Sequence, residues 1–421
     1  MRQEGGKSLF ARTDSINESI GTAPIRRDGT ETPCPHADRC GGCTYQTLPY
    51  EEQLRLKNAQ VLELLLQYGV ICGSYEGVRP SPRICAYRNK MEYSFGDEEK
   101  DGPMTLGLHR KKSYMSVLNT DGCRFVPEDF NTIRRAALSH MTDRGHSFRH
   151  KRTRRGFLRN LVIRRGENTG ELLVNLVTTD EETLDEQAFV ELLLNLKLND
   201  TPVGILHTVY CGRADTVGCD RAKTLYGRDY YRERMLDLEF NVNAFSFFQT
   251  NTSAVEAMFA SALSLMPGAA EKTIFDLYCG TGAISLALAR TAKSVIGIEL
   301  SADSIRAARE NAARNGVANC SFLEGDALEV LERLPHKPDA IVADPPRMGI
   351  HPKALKKIIA YGLDELLYIS CNPKTFCENM AVFQENGYKL DALCVCDNFP
   401  FTKHIELFSR IKKRGGGSPP G

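Results

Sequence analysis

Cys371 closes a run of mostly apolar residues, Leu366-Leu-Tyr-Ile-Ser-Cys371, and is followed by Asn372-Pro373. A cysteine at the end of a strand can present a thiolate to a substrate, although inert burial is the ordinary fate of this residue type. The choice depends on what shares that edge. Asp276-Leu-Tyr-Cys-Gly-Thr-Gly282 follows another strand-like run, and Gly280 and Gly282 let the backbone turn tightly toward a ligand where the next helix begins. The next run ends at Glu299, where a carboxylate can accept hydrogen bonds from ribose hydroxyls. Two further runs end in Gly325-Asp326 and in Asp344-Pro-Pro-Arg347. Open α/β sheets bind ligands at the carboxyl ends of their strands, so Gly280, Glu299, Asp326 and Asp344 fit the walls of one pocket. Helix capping is the competing account of Glu299 and of Asp326.

The glycine loop continues Ala-Ile-Ser after Gly282, so it is neither GxGxxG nor followed by a phosphate-binding lysine. S-adenosyl-L-methionine (SAM), which carries no phosphate, suits it better than NAD or ATP. Asp344-Pro-Pro resembles the (Asn/Asp)-Pro-Pro turn of nucleobase methyltransferases. Amino-methylating enzymes follow that turn with a stacking aromatic residue, whereas here Arg347 follows. Carbon 5 of a pyrimidine is a poor nucleophile until a thiolate has added at carbon 6, which is work for Cys371. Cytosine-5 enzymes carry a cysteine in the turn itself, and this chain has none there. Completing the reaction requires a base for the carbon 5 proton. Glu406, alternating with apolar Ile405 and Leu407, is an acid on an apolar strand and needs a partner or a task; a structural salt bridge would also satisfy it.

A second cluster of reactive side chains, Cys34-x5-Cys40-x2-Cys43, precedes the first helical stretch. The spacing is not a common ferredoxin form. Three close cysteines with a distant fourth ligand suit zinc or a [4Fe–4S] cluster equally, and His36 is an available zinc ligand. Fourteen cysteines in a long chain with no export-type leader argue for reduced thiols and a cytoplasmic location.

The elements that must hold these residues fall into two rhythms. From about 246 to 412, strands TIFDLYC, SVIGIE, CSFLEG, DAIVAD and LLYISC alternate with helical runs beginning near Ala283, Ala302, Ala327, Pro352 and Lys374. Parallel strands need such crossovers, which makes this a Rossmann-like α/β domain completed by LDALCVCD and KHIELFSR. Residues 75–245 read as an α+β middle domain, with strand-like MEYSF, MTLGLHR, LRNLVIRR, ELLVNLVTT and GILHTVY. Residues 34–74 read as the cysteine knuckle plus a helix over Pro49–Tyr68 stopped by Gly69. Residues 1–33 and 413–421 read as a disordered and a flexible tail. Length calls for two or three domains, and no run approaches the apolar length of a membrane span. Net charge is only +1, but nine basic positions without an acid lie between Arg149 and Arg165, a candidate RNA-facing strip.

SFFQTN (246–251), DLYCGTG (276–282), DPPR (344–347), SCNP (370–373) and HIEL (404–407) occur in this order. The set resembles the RNA (uracil-5-)-methyltransferase family across the catalytic half. That resemblance implies SAM bound by Gln249, Tyr278, Glu299 and Asp344, with Cys371 as nucleophile and Glu406 as base. Phe247 and Phe248 become candidates to support the target base. Ala283 departs from the asparagine that relatives often carry near SAM. Iron–sulfur members of the family share C-x5-C-x2-C and take a fourth cysteine from the middle domain. By that likeness Cys123 completes a [4Fe–4S] site with Cys34, Cys40 and Cys43; Cys72 and Cys85 are nearer in sequence but lack the context. The bacterial cluster-bearing members mostly modify 23S ribosomal RNA, while bacterial transfer-RNA members lack the knuckle. RNA, not DNA or a membrane, is therefore the expected partner, 23S rRNA before tRNA. A SAM enzyme for a small molecule or protein, and a non-catalytic RNA-binding protein, are the rival classes.

Overall fold

The computed structural model describes residues 34–266 and 268–414. The two expected tails, apart from residues 413 and 414, lie outside the described residues. Contacts divide the described residues into two units, one built from residues 49–82 and those from 254 to 414, the other from residues 34–48 and 83–253. The grouping of 34–74 into one segment does not hold, because the knuckle and the helix after it belong to different units.

The first unit is built on an eight-stranded sheet. Five strands are parallel neighbours: β11 (Thr273–Leu277), β12 (Ser294–Glu299), β13 (Cys320–Glu324), β14 (Ala340–Ala343) and β15 (Glu365–Ser370). Helices α5 (Ala283–Ala289), α6 (Ala302–Arg314), α7 (Ala327–Arg333), α8 (Pro352–Ala360) and α9 (Pro373–Glu385) alternate with strands along the chain. The sheet runs β1-β16-β17-β15-β14-β11-β12-β13, where β1 is Cys72–Arg79, β16 is Tyr388–Cys396 and β17 is Glu406–Lys413. Reversal of strand order around β11 and β14 opens a crevice at their carboxyl ends. All four residues of β14 are buried, as expected of a strand covered on both faces. β17 is antiparallel to both β15 and β16, so its first residue lies at the edge where β15 ends.

The edge strand β1 (Cys72–Arg79) pairs in parallel with β16. Helix α1 (Tyr50–Gln67) joins the same unit through Lys57, whose ammonium donates to Asp397 Oδ1 at 2.6 Å with both side chains fully buried. Burial pulls the Lys57 pKa down and pushes that of Asp397 up, while their mutual attraction opposes both shifts. Gly69, at φ +62°, ends the helix in the left-handed region as its sequence position suggests.

The second unit has a seven-stranded sheet of order β4-β3-β2-β5-β6-β7-β8. These strands are β2 (Lys90–Asp97), β3 (Met104–His109), β4 (Val117–Asn119), β5 (Leu158–Arg165), β6 (Glu171–Thr178), β7 (Thr201–Val209) and β8 (Arg221–Gly227). All pair antiparallel except β6 with β7, in agreement with an α+β domain. Helices α2 (Glu128–Asp143) and α3 (Glu186–Leu194) and the hairpin β9 (Tyr230–Met235) and β10 (Leu238–Asn243) complete it. Helix α4 (Thr252–Ser264) follows. Among the described residues no helix is long and apolar enough to cross a membrane.

Candidate active site

The crevice begins at the turn after β11. Tyr278 has φ +66°, an unfavourable conformation for a side chain with a Cβ, and Gly280 and Gly282 follow at +54° and +86°. A Cβ on Gly282 would stand 3.0 Å from the Phe322 ring, so the loop seats against β13 only with glycine there. Glu299 fastens the loop from β12, its Oε2 accepting from the Gly280 amide at 3.2 Å and its Oε1 from the Ser301 amide at 2.9 Å. Asn311 on α6 donates to the Thr281 carbonyl at 3.1 Å. Asp326 caps α7, accepting from Leu328 N at 2.9 Å, yet its charge is also felt at the Tyr278 phenol. The capping account of Asp326 is thus correct as far as it goes.

Asp276 was quoted with the glycine loop but given no task by sequence. It is fully buried with one oxygen accepting from Ser285 Oγ at 2.5 Å, and Oδ1 has no hydrogen-bond partner among the described residues. Burial first, then the negative charges of Asp344 and Glu299, push its pKa up to about 7. Asp344, beyond β14, is lifted by burial to about 7 as well.

Cys371 and Glu406 meet at the adjoining strand ends. Ser370 pairs with Leu407 and Cys396 with Glu406, so the next step of the β15–β17 ladder sets Cys371 against Glu406. Burial is the main force lifting the Cys371 thiol to about 11, assisted by the charges of Glu406 and Asp344 and opposed by Arg347. Glu406 is pushed up to about 8 by burial and by Asp344, again against Arg347. Arg347 is therefore the cation of this acidic group, and sequence gave it no role beyond ruling out a stacking ring. Its guanidinium lies 3.1 Å from His404 Nδ1, and its carbonyl accepts from Asn372 Nδ2 at 2.9 Å. Tyr368, buried beside the crevice, donates to Asn379 Oδ1 at 2.7 Å; a tyrosine inside an apolar strand offered no sequence signal for this.

The fold and the carboxyl-end crevice together define a Rossmann-like methyltransferase. Residues 87–414 match the family model described as tRNA (uracil-5-)-methyltransferase, and the chain belongs to that family of RNA-modifying enzymes. It is 42% identical over 413 residues to an uncharacterized RNA methyltransferase of Caldanaerobacter subterraneus subsp. tengcongensis, covering 98% of this chain and 91% of that one. A similar protein of Clostridium acetobutylicum, likewise an uncharacterized RNA methyltransferase, is 39% identical over 97% of this chain and 91% of its own. The crystal structure of Pyrococcus abyssi tRNA (uracil-54, C5)-methyltransferase in complex with S-adenosyl-L-homocysteine superposes with a TM-score of 0.73 at 27% identity, covering 88% of this chain and 86% of that one.

The SFFQTN segment belongs to the second unit. The Gln249 carbonyl accepts from Asn89 Nδ2 at 2.9 Å, and Thr252 Oγ1 donates to buried Glu233 at 2.7 Å. The two phenylalanines differ: Phe247 is 71% exposed, whereas Phe248 is 6% exposed and packs on Phe240. Phe248 is a packing residue, and of the two only Phe247 is exposed.

Cys34, Cys40, Cys43 and Cys123 line one small cavity with Leu108 and Phe125. Three of the thiols sense others of the set: Cys40 feels Cys34, Cys43 feels Cys123, Cys40 and Cys34, and Cys123 feels Cys34 and Cys40. Among the described residues no three His, Cys, Asp or Glu side chains form a group that could hold a metal ion. His36 lines the same cavity, and its Nε2 lies 2.8 Å from the Asp121 carbonyl. Cys72 sits on β1 in the other unit and donates to the Ser74 carbonyl.

The basic strip at 149–165 requires correction. Arg149, Arg159 and Arg164 are buried, with Arg159 donating to the carbonyls of Tyr210, Gly212 and Ala214, and Arg165 pairs with Asp200. The second half of the strip is β5, whose arginines tie strands together; only residues 150–155 remain as a surface feature.

Proposed function

We propose that this enzyme methylates carbon 5 of a specific uridine in 23S ribosomal RNA, with Cys371 as nucleophile and Glu406 as base. The observation that carries the reading is the β15–β17 register, which sets a thiol against a buried carboxyl beside the crevice. Cys371 Sγ adds to carbon 6 of the uracil, and the displaced π electrons make carbon 5 nucleophilic. SAM, when bound, supplies an electrophilic methyl group to that carbon. Glu406 then takes the proton from carbon 5; the released pair restores the C5–C6 double bond and expels the thiolate. Arg347 favours the ionised forms of both residues, which burial and Asp344 disfavour. Glu299 supports cofactor binding by holding the Gly280 loop and offering its carboxylate to ribose hydroxyls. Tyr278, Asp326 and Asp344 are assigned to the same cofactor from the crevice side, and Gln249 on the family resemblance alone.

Cys34, Cys40, Cys43 and Cys123 are proposed to hold a [4Fe–4S] cluster. The support is four thiols lining one cavity, which His36 and Thr120 also line, a soft-donor set suited to iron–sulfur chemistry. The cluster would cross-link the knuckle to the loop before α2. A second reading, the same reaction on uridine 54 of transfer RNA, is favoured by the likeness to the Pyrococcus abyssi enzyme. Purified enzyme with methyl-labelled SAM is given 23S rRNA and tRNA transcripts, and the products are digested to nucleosides. Label in 5-methyluridine from 23S rRNA alone supports the first reading. Label from tRNA alone transfers the proposal to the second, and label in neither overturns both.

A further inference from the structure

Within the second unit, three surface segments converge around Tyr114, an aromatic residue 69% exposed. The Lys151 ammonium stands 5.9 Å from its ring centroid and 3.1 Å from His109 Nε2, joining the 150–155 loop to the β3–β4 loop. The cysteine knuckle abuts the same loop. Cys40 pairs with Arg110 as an antiparallel bridge, Gly41 N donates to the His109 carbonyl at 2.8 Å, and Lys111 Nζ donates to the Ala37 carbonyl at 2.6 Å.

The Asp215 carboxylate acts on Lys151 and His109, but the other cations of this face are not balanced in that way. Arg110, Lys112 and Arg152 are exposed, and among the described residues none of their side chains has a carboxylate partner. Arg154 reaches only a backbone carbonyl, that of Arg213, and Arg155 meets Glu181 at 3.6 Å. Unneutralised cations flanking an exposed ring match a single-stranded nucleic acid, whose phosphates need cations and whose bases need flat apolar faces. An acidic protein partner would use the cations and leave the ring without a task.

We propose that this face, centred on Tyr114 with Arg110, Lys112, Lys151 and Arg152, is an RNA-docking surface. It rests on the RNA-uridine reading above and adds to it a second contact outside the catalytic crevice. Tyr114 stacks on an unpaired base of the substrate, while the cations grip neighbouring phosphates. The knuckle holds the β3–β4 loop in place for this contact, which gives the four cysteines a role in binding rather than in methyl transfer.

The test measures affinity of the full-length protein for a 23S rRNA transcript over a salt series. Lys112→Glu/Arg152→Glu should weaken binding more than tenfold and flatten the log–log salt slope by about 1.4 to 1.8, the share of two phosphate contacts. Tyr114→Ala should weaken binding roughly tenfold and leave the slope unchanged, as loss of one stacked base would. Lys100→Glu/Lys197→Glu, with the same charge change at exposed sites elsewhere in this unit, should alter both far less. Thermal midpoints guard against misfolding. If the control pair weakens binding as much, or the Tyr114 and Lys112/Arg152 variants bind like wild type, the surface is overturned. Wild-type methylation of RNA uridine would in that case still stand, so the two failures are distinguishable.

Discussion

Cys371, the proposed nucleophile, has surroundings that favour its protonated form. Burial and two carboxylates lift its thiol to about 11, and the same burial lifts Glu406 to about 8. The proposed mechanism needs both groups in their ionised forms, so the single-turnover rate should climb as pH rises from 6 to 9. The Arg347 guanidinium acts the other way on both residues. Arg347→Met should move the pH–rate profile to higher pH and slow the reaction at neutral pH by at least about tenfold, a loss of roughly one pKa unit of support. Arg347→Lys should recover part of that loss, and an unshifted Arg347→Met profile would remove Arg347 from the account. Asp276 has a consequence for stability. Its pKa is raised to about 7 in the folded chain, so the fold binds its proton more tightly than the unfolded chain does. Its contribution therefore falls as pH rises from about 4 through 7. Asp276→Asn should flatten that decline in denaturant titrations across this window, while the unsubstituted chain shows it.

Individual elements decide how the crevice is supported. Asp326 both caps α7 and faces Tyr278, and two substitutions separate these roles. Asp326→Ala should cost about 1 kcal/mol of stability for the lost cap, whereas Asp326→Asn keeps an equivalent cap. Weaker SAM binding by Asp326→Asn at unchanged stability would assign the charge to the cofactor; equal binding would leave it a cap. Helix α1 depends on the buried Lys57–Asp397 pair, and Lys57→Met should cost about 3–5 kcal/mol by stranding a buried carboxylate. The parallel strands were legible because runs such as AIVA and SVIGIE are apolar, evenly spaced and separated by helical stretches. β1 was not legible: CGSYEGVR is mostly polar, interrupted by a bulge, and lies at a sheet edge. Its assignment to the catalytic sheet depends on pairing with β16, more than 300 residues later, which no local pattern encodes. Likewise, the arginines of LRNLVIRR read as a surface strip because charge alone does not report a strand buried on both faces.

At the scale of the whole molecule, chain order and spatial grouping diverge. The knuckle belongs with the middle sheet and the helix after it with the catalytic sheet, so the domain edge falls near Pro49. Most motifs carrying chemistry were legible in sequence because they lie at strand ends, while HIEL opens β17; the titrating group around them was not, since burial sets it. The cluster assignment predicts iron and acid-labile sulfide in equal amounts after anaerobic reconstitution, both reduced in Cys123→Ser; a single zinc per chain would contradict it. The account as a whole turns on a covalent bond from Cys371 to a uracil that Glu406 later resolves. Incubating Glu406→Gln with SAM and substrate RNA should accumulate a protein–RNA species that survives denaturing electrophoresis. The same species should be absent from Cys371→Ala/Glu406→Gln. Full turnover to 5-methyluridine by Cys371→Ala would contradict the account directly.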